Sequence, residues 1–165
     1  KKAEVEVVYA HSFYAGAAHA SGPLSGEIIG MLAAPDPEEA RVGLAACVDY
    51  AEHKAWFETA AEMPDGGVVA FFAHPIARTG TYLSREADVP AGTALAYCIA
   101  PPLEASVALD AVLKATDVEL KVWFAPPSET NFSGGFFVGE QSAVVEACHT
   151  FRAAVLDVAA TPREI

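Results

Sequence analysis

The chain has 165 residues, a formal net charge of −12, and 53% hydrophobic against only 19% charged residues. This acidic balance argues against nucleic acid as a partner, because phosphate binding relies on lysine and arginine to displace counterions, and no apolar run approaches the roughly 20 residues of a membrane span. The apolar content exceeds the ~45–50% of ordinary soluble domains, which predicts that another subunit covers part of the surface.

In chain order, Val5-Glu-Val-Val-Tyr9 reads as a strand. It ends where the Gly-, Ser- and Ala-rich segment 11–26 begins, most simply a long loop. Residues 27–33 resume as a strand. Pro35-Asp36-Pro37-Glu38-Glu39 then starts a helix, with Asp36 as N-cap and Pro37 in the first helical position. The helix is expected to run to about Glu52 and to bury Leu44, Cys47, Val48 and Ala51. Residues 53–67, with Trp56, Phe57 and the turn Pro64-Asp65-Gly66-Gly67, read as a connector.

The second half opens with a strand at 68–73, followed by an irregular stretch over 78–84 and an acidic loop over 85–92. Residues 93–100 have the length and apolar character of a buried strand, and Pro101-Pro102 stops it. Strong helix formers follow over 103–116, with Leu103, Val107 and Ala111 on one face. The alternation in 118–124 predicts a strand with Val118, Leu120, Val122 and Phe124 on one side. A second irregular segment, 125–134, leads into a strand at 135–139. A helix then carries Val145, Cys148, Phe151, Val155 and Val158 at three- and four-residue spacing up to Thr161-Pro162.

An internal repeat emerges from this order. Strand, long loop, strand with a glycine near its end, then helix: the series in 5–52 returns in 118–159. The offsets are 113 from Val5 to Val118, 109 from Gly30 to Gly139, and 107 from Glu39-Ala40 to Glu146-Ala147. Elements 68–116 have no counterpart before Val5, so the chain is expected to be one full unit after the latter half of another, with an N-terminal piece missing. Cys47, Cys98 and Cys148 are odd in number and lie in apolar patterns, which suits reduced core thiols of a cytosolic protein.

Catalytic residue types are present in His11, Ser12, His19, His74 and His149, but no GxSxG, HExxH, P-loop or GxGxxG string accompanies them. The eight-residue spacing of His11 and His19 is no zinc signature, and neither a metal nor a cofactor is expected.

Five strings lie in collinear order over essentially the whole chain: Tyr14-Ala-Gly-Ala-Ala-His19, Ala33-Ala-Pro-Asp-Pro-Glu-Glu-Ala40, Arg78-Thr-Gly-Thr-Tyr-Leu-Ser84, Ala100-Pro-Pro-Leu-Glu-Ala105 and Pro126-Pro-Ser-Glu-Thr-Asn131. Together they resemble the EutL family of bacterial microcompartment shell proteins, which serves ethanolamine utilisation. The resemblance implies an α/β fold of the α+β sandwich type, built as tandem, circularly permuted bacterial microcompartment (BMC) domains. Residues 1–66 would be the C-terminal part of the first domain and 67–165 the second. It further implies a non-enzymatic homotrimer that tiles, with other microcompartment shell proteins, the shell of a bacterial microcompartment in the cytoplasm. A soluble small-molecule sensor on the same fold is the alternative. Family members begin about half a domain upstream of Lys1.

The same resemblance assigns the sites. The loops at about 10–26 and 125–134 would line the trimer centre and gate a pore for small polar metabolites, through Phe13, Tyr14, Gly16 and His19 in one and Ser128, Glu129, Thr130, Asn131 and Phe132 in the other. Glycine allows large backbone changes there and the aromatic rings can plug a gap; ordinary surface loops would have the same composition. Glu27 with Phe57 matches the kind of small pore that binds a cationic amino alcohol such as ethanolamine, which calls for a carboxylate and a π face. A solvated acid at a strand edge is the competing role for Glu27, and for Glu104 it is a carboxylate in the first turn of a helix.

Overall fold

The computed structural model describes residues 3–13, 27–54, 58–62, 68–126 and 132–161. They form two units: Lys1–Trp56 with Gly80–Tyr82, and Phe57–Thr79 with Leu83–Ile165.

In the first unit, β1 (Glu6–Phe13) and β2 (Glu27–Ala33) form an antiparallel hairpin followed by α1 (Pro37–His53). The helix starts as its sequence dictates. The Asp36 carboxylate accepts from the backbone N–H of Glu38 and of Glu39, both at 2.9 Å, which satisfies two donors that have no partner inside the helix. Its inward face differs from the expectation. Gly43 is buried, with Glu39, Ala40, Val42 and Ala46 half-buried beside it, whereas Leu44, Cys47, Val48 and Ala51 are exposed. The helix turns its smallest residue inward: a Cβ at Gly43 would run into the Val5 side chain.

The second unit is a five-stranded antiparallel sheet in the order β3-β4-β5-β7-β6, built from β3 (Glu58–Glu62), β4 (Val68–Ile76), β5 (Leu95–Ala100), β6 (Val118–Phe124) and β7 (Ser133–Gly139). The expected connector thus contains an edge strand, and the expected irregular stretch after β4 contains the short helix α2 (Thr81–Glu86). Between β5 and β6 runs α3 (Pro102–Ala115), and α4 (Gln141–Ala160) follows β7. Strands β5 and β6 are each antiparallel to β7, so α3 carries the chain across it and β7 fills the gap.

Alternation along the strands separates two cores. On one face Val69, Phe71, Ala96, Cys98, Ala100 and Phe137 pack against α3 and α4, which contribute Ala105, Ala108, Leu109 and Val112, and Val144, Ala147, Cys148, Phe151, Val155 and Ala159. Alanine at the helix contacts lets backbones approach closely, and it leaves Leu103, Val107 and Leu113 on the exposed side of α3. On the other face Leu95, Phe136, Val138 and Ala87 are buried, flanked by Leu83, Val89, Tyr97, Val122 and Phe124.

Strand β6 serves both cores, contrary to the single face its alternation predicts. Leu120 pairs with Phe137 but Val122 pairs with Phe136, so Lys121 is an extra residue. This bulge shifts the side-chain alternation by one, placing Val118 and Leu120 toward the helices and Val122 and Phe124 on the far face.

The same bulge occurs in β1, where Val7 pairs with Leu32 and Tyr9 with Met31, leaving Val8 extra. Lys121 lies 113 residues after Val8, the offset already noted between Val5 and Val118. Across the ladder, Ala10 faces Gly30 as Trp123 faces Gly135, so the register equates Gly30 with Gly135, 105 residues on, rather than with Gly139. At that offset the inward residues Glu39, Val42, Gly43 and Ala46 of α1 fall on Val144, Ala147, Cys148 and Phe151 of α4.

Phe151 is fully buried between α4 and the sheet, and Phe151→Ala is expected to destabilise the protein by about 3–5 kcal/mol in urea titration. Deleting Lys121 closes the bulge but keeps Leu120 toward the helices and Val122 and Phe124 on the far face, so a cooperative thermal transition in circular dichroism is expected to survive the deletion.

Candidate functional site

Both loops implicated by the sequence spring from equivalent ends of the two bulged hairpins. The first hairpin is longer than its sequence suggests. Pairing continues past Tyr9 through Ala10↔Gly30, His11↔Ile29 and Ser12↔Ile28 to Phe13↔Glu27, because 27–30 supply a matching strand. The loop therefore begins after Phe13, not at Ala10. Phe13 and Glu27 are opposite one another in the backbone register at its base. Tyr14, Gly16, His19 and Phe57 lie outside the described residues, as do Ser128, Glu129, Thr130 and Asn131. Phe132 is described and half-buried immediately before β7.

The base of the second loop is built more tightly. Ser133 is fully buried and its hydroxyl donates to the Phe124 carbonyl at 2.8 Å, tying the last residue of β6 to the first of β7. Next to it Gly134 has φ +153°, and a Cβ there would collide with the Cys98 carbonyl of β5. A Cβ at Gly135 would likewise meet the Val122 carbonyl and stand 2.6 Å from Leu120 Cδ1. Glycine at both positions lets β7 lie close between its neighbours. These residues did not stand out as functional in the sequence, although a Ser-Gly-Gly run entering a strand is a signal of close backbone approach.

Beneath this base lies a row of aromatic rings. Phe124 and Phe136 meet edge to face at 5.0 Å, Phe136 and Tyr97 at 4.8 Å, and Tyr97 and Phe72 at 5.6 Å, with His74 stacked on Phe72 at 5.5 Å. Edge-to-face pairs fix ring orientation, so the row is a stiff floor under the strand ends from which the loop departs.

Of the residue types that suggested catalysis, the described side chains are those of His74 and His149. His74 is committed to its aromatic stack, and His149 is exposed beside Glu146, at 3.7 Å. Among the described residues no group of three or more His, Cys, Asp or Glu is placed to hold a metal ion, and no helix is long and apolar enough to cross a membrane.

No protein-family model matches the chain. It is 51% identical over 162 residues to the bacterial microcompartment shell protein EutL of Clostridium perfringens, which covers 98% of this chain and 73% of that protein. The crystal structure of ethanolamine utilization protein EutL from Leptotrichia buccalis is similar with a TM-score of 0.86 at 53% identity, covering 99% of this chain and 74% of that one. A trimeric bacterial microcompartment shell protein PduB shares the fold, at a TM-score of 0.72 and 18% identity over 93% of this chain and 66% of that one.

Ser133→Ala removes the bond that closes the second loop and leaves the Phe124 carbonyl without that donor, an expected loss of about 1–3 kcal/mol. Gly134→Ala combines strain with a backbone collision and should cost at least about 2 kcal/mol, read as a lowered urea midpoint at constant slope.

Proposed function

Since the chain belongs to the EutL family of bacterial microcompartment shell proteins, we propose that it is a non-enzymatic tile of such a shell, in the bacterial cytoplasm, serving ethanolamine utilisation. The observation that carries this is identity of about half the residues, sustained over 98% of the chain, together with a matching fold. The tile is a homotrimer that packs beside other shell proteins. Each chain contributes tandem BMC domains, with 1–66 as the C-terminal part of the first and 67–165 as the second. The recurrence of the bulged hairpin and its helix at fixed offsets supports that division. Three chains, each with two such hairpins, present six similar loop bases around one axis, which suits a pore whose edge is formed by equivalent loops.

The two loops gate that pore. Phe13, Tyr14, Gly16 and His19 act in the first, and Ser128, Glu129, Thr130, Asn131 and Phe132 in the second. A stiff base and a glycine-containing loop are what a two-position gate requires, since the motion must be confined to the loop. Glu27, with Phe57, takes a small ammonium ligand such as ethanolamine: the carboxylate offers charge and hydrogen bonds, and the ring a π face.

Sedimentation and electron microscopy of the purified protein test the tile. A three-chain species that grows into hexagonally ordered sheets is expected; a dispersed monomer, as a soluble sensor would give, contradicts it. Titration calorimetry with ethanolamine tests the ligand site. Glu27→Gln should weaken binding about tenfold or more, the loss of one charge-assisted contact, and unchanged affinity would remove Glu27 from the site.

A further inference from the structure

Each hairpin has a hydroxyl held against a carbonyl of its first strand, and the two hydroxyls come from different places. In the second hairpin the donor is Ser133, 2.8 Å from the Phe124 carbonyl. The offsets of 113 along the first strand and 105 along the second make His11 the equivalent of Phe124 and Ile28 the equivalent of Ser133, and isoleucine has no hydroxyl for the same tie. The first hairpin uses a tyrosine from elsewhere in the sequence. The Tyr82 hydroxyl donates to the carbonyl of Ala10, the residue before His11, at 2.9 Å and across 72 positions of chain.

The segment that carries this phenol belongs to the first unit, as Gly80–Tyr82, and the chain is fixed on either side of it. The Thr79 N–H donates to the Thr93 carbonyl and the Gly92 N–H donates to the Thr79 carbonyl, both at 2.9 Å. The buried Ser84 hydroxyl donates to the buried Thr79 Oγ1, also at 2.9 Å. Three residues between two anchored ones have little conformational freedom, so the position of the phenol is set before it meets β1. On β1, Ala10 stands just ahead of the last three pairs of the ladder, His11↔Ile29, Ser12↔Ile28 and Phe13↔Glu27. Among the described residues no further strand pairs with either side of this hairpin.

We propose that Tyr82 is the positioning residue of the first loop: its hydroxyl pins β1 at Ala10, keeps the last three pairs closed, and thereby sets the loop's start after Phe13. The end of a two-stranded ladder frays, because its final pairs are supported from one side only. Without the pin the point of departure retreats toward Ala10, and the loop gains three residues on each side. The Ser133 tie is internal to its own hairpin, whereas this one depends on where α2 begins, so the two loop bases answer to different parts of the sequence. The meaning of the pin for a gate rests on the pore reading proposed above.

The test is amide hydrogen exchange on the full chain and on its Tyr82→Phe variant, which keeps the ring and removes only the hydroxyl. Exchange at 11–13 and 27–29 is expected to quicken about three- to tenfold, the loss of one hydrogen bond, while β5 and β7 exchange as before. Unchanged exchange at 11–13 and 27–29 would overturn the proposal. So would an equal quickening in every strand, which is the mark of general destabilisation. The exchange pattern reads the pin and not the pore: a protein that formed no trimeric sheets would defeat the shell reading and leave this result intact.

Discussion

A single extra residue in one strand of a hairpin sets much of this molecule's architecture. In an antiparallel ladder the side chains alternate, so residues two apart on an uninterrupted strand face the same core. Lys121 breaks that parity. Its insertion opposite Phe136 and Phe137 lets β6 give Leu120 to the helix-covered core and Phe124 to the aromatic row on the opposite face. The bulge also adds twist to the strand just ahead of the loop, and the extra residue keeps its charge outside, where Lys121 pairs with Glu119 at 2.7 Å.

The recurrence of this device at Val8 is the strongest internal evidence that the two halves share one plan. Similar element order can arise by chance in any α/β chain, but a bulge at the same offset with the same register on either side of it is far more restrictive. The two copies differ in what surrounds them. Strand β7 has β5 on its second edge and α4 has α3 along its flank, and the apolar residues there are accordingly buried. Among the described residues β2 pairs only with β1, and Ile29, Met31, Leu44, Val48 and Tyr50 are exposed. Burial thus follows the neighbours an element has, not its own apolar content.

That contrast explains what could be read in the sequence. Strands β2 and β6, the capped start of α1 and the ends of α3 and α4 follow from local signals such as Asp36-Pro37, Pro101-Pro102 and Thr161-Pro162, and they were legible. The bulge at Lys121 was not, because Val118-Glu-Leu-Lys-Val-Trp-Phe124 is a perfect alternation whose interruption depends on the partner strand. The extension of β1 through Phe13 was hidden for the same reason: a Gly- and Ser-rich composition describes the loop beyond it, while the ladder is set by 27–30. Exposure of Cys47 and of the apolar side of α1 depends on packing partners that the helical period cannot reveal. Of the proposed site, the loops and Glu27 come from the family resemblance, and the structure adds the base of the second loop, where Ser133, Gly134 and the ring of Phe124 fix the point of departure.

The account's central claim is that two copies of one bulged hairpin allow a threefold assembly to imitate sixfold geometry. A cryo-electron microscopy reconstruction of the assembled protein tests it most directly. The account predicts three chains about a threefold axis, with the hairpins carrying Val8 and Lys121 alternating at near-equivalent radius and orientation. A reconstruction in which these hairpins occupied unrelated positions, or in which only one of them carried the bulge, would contradict it.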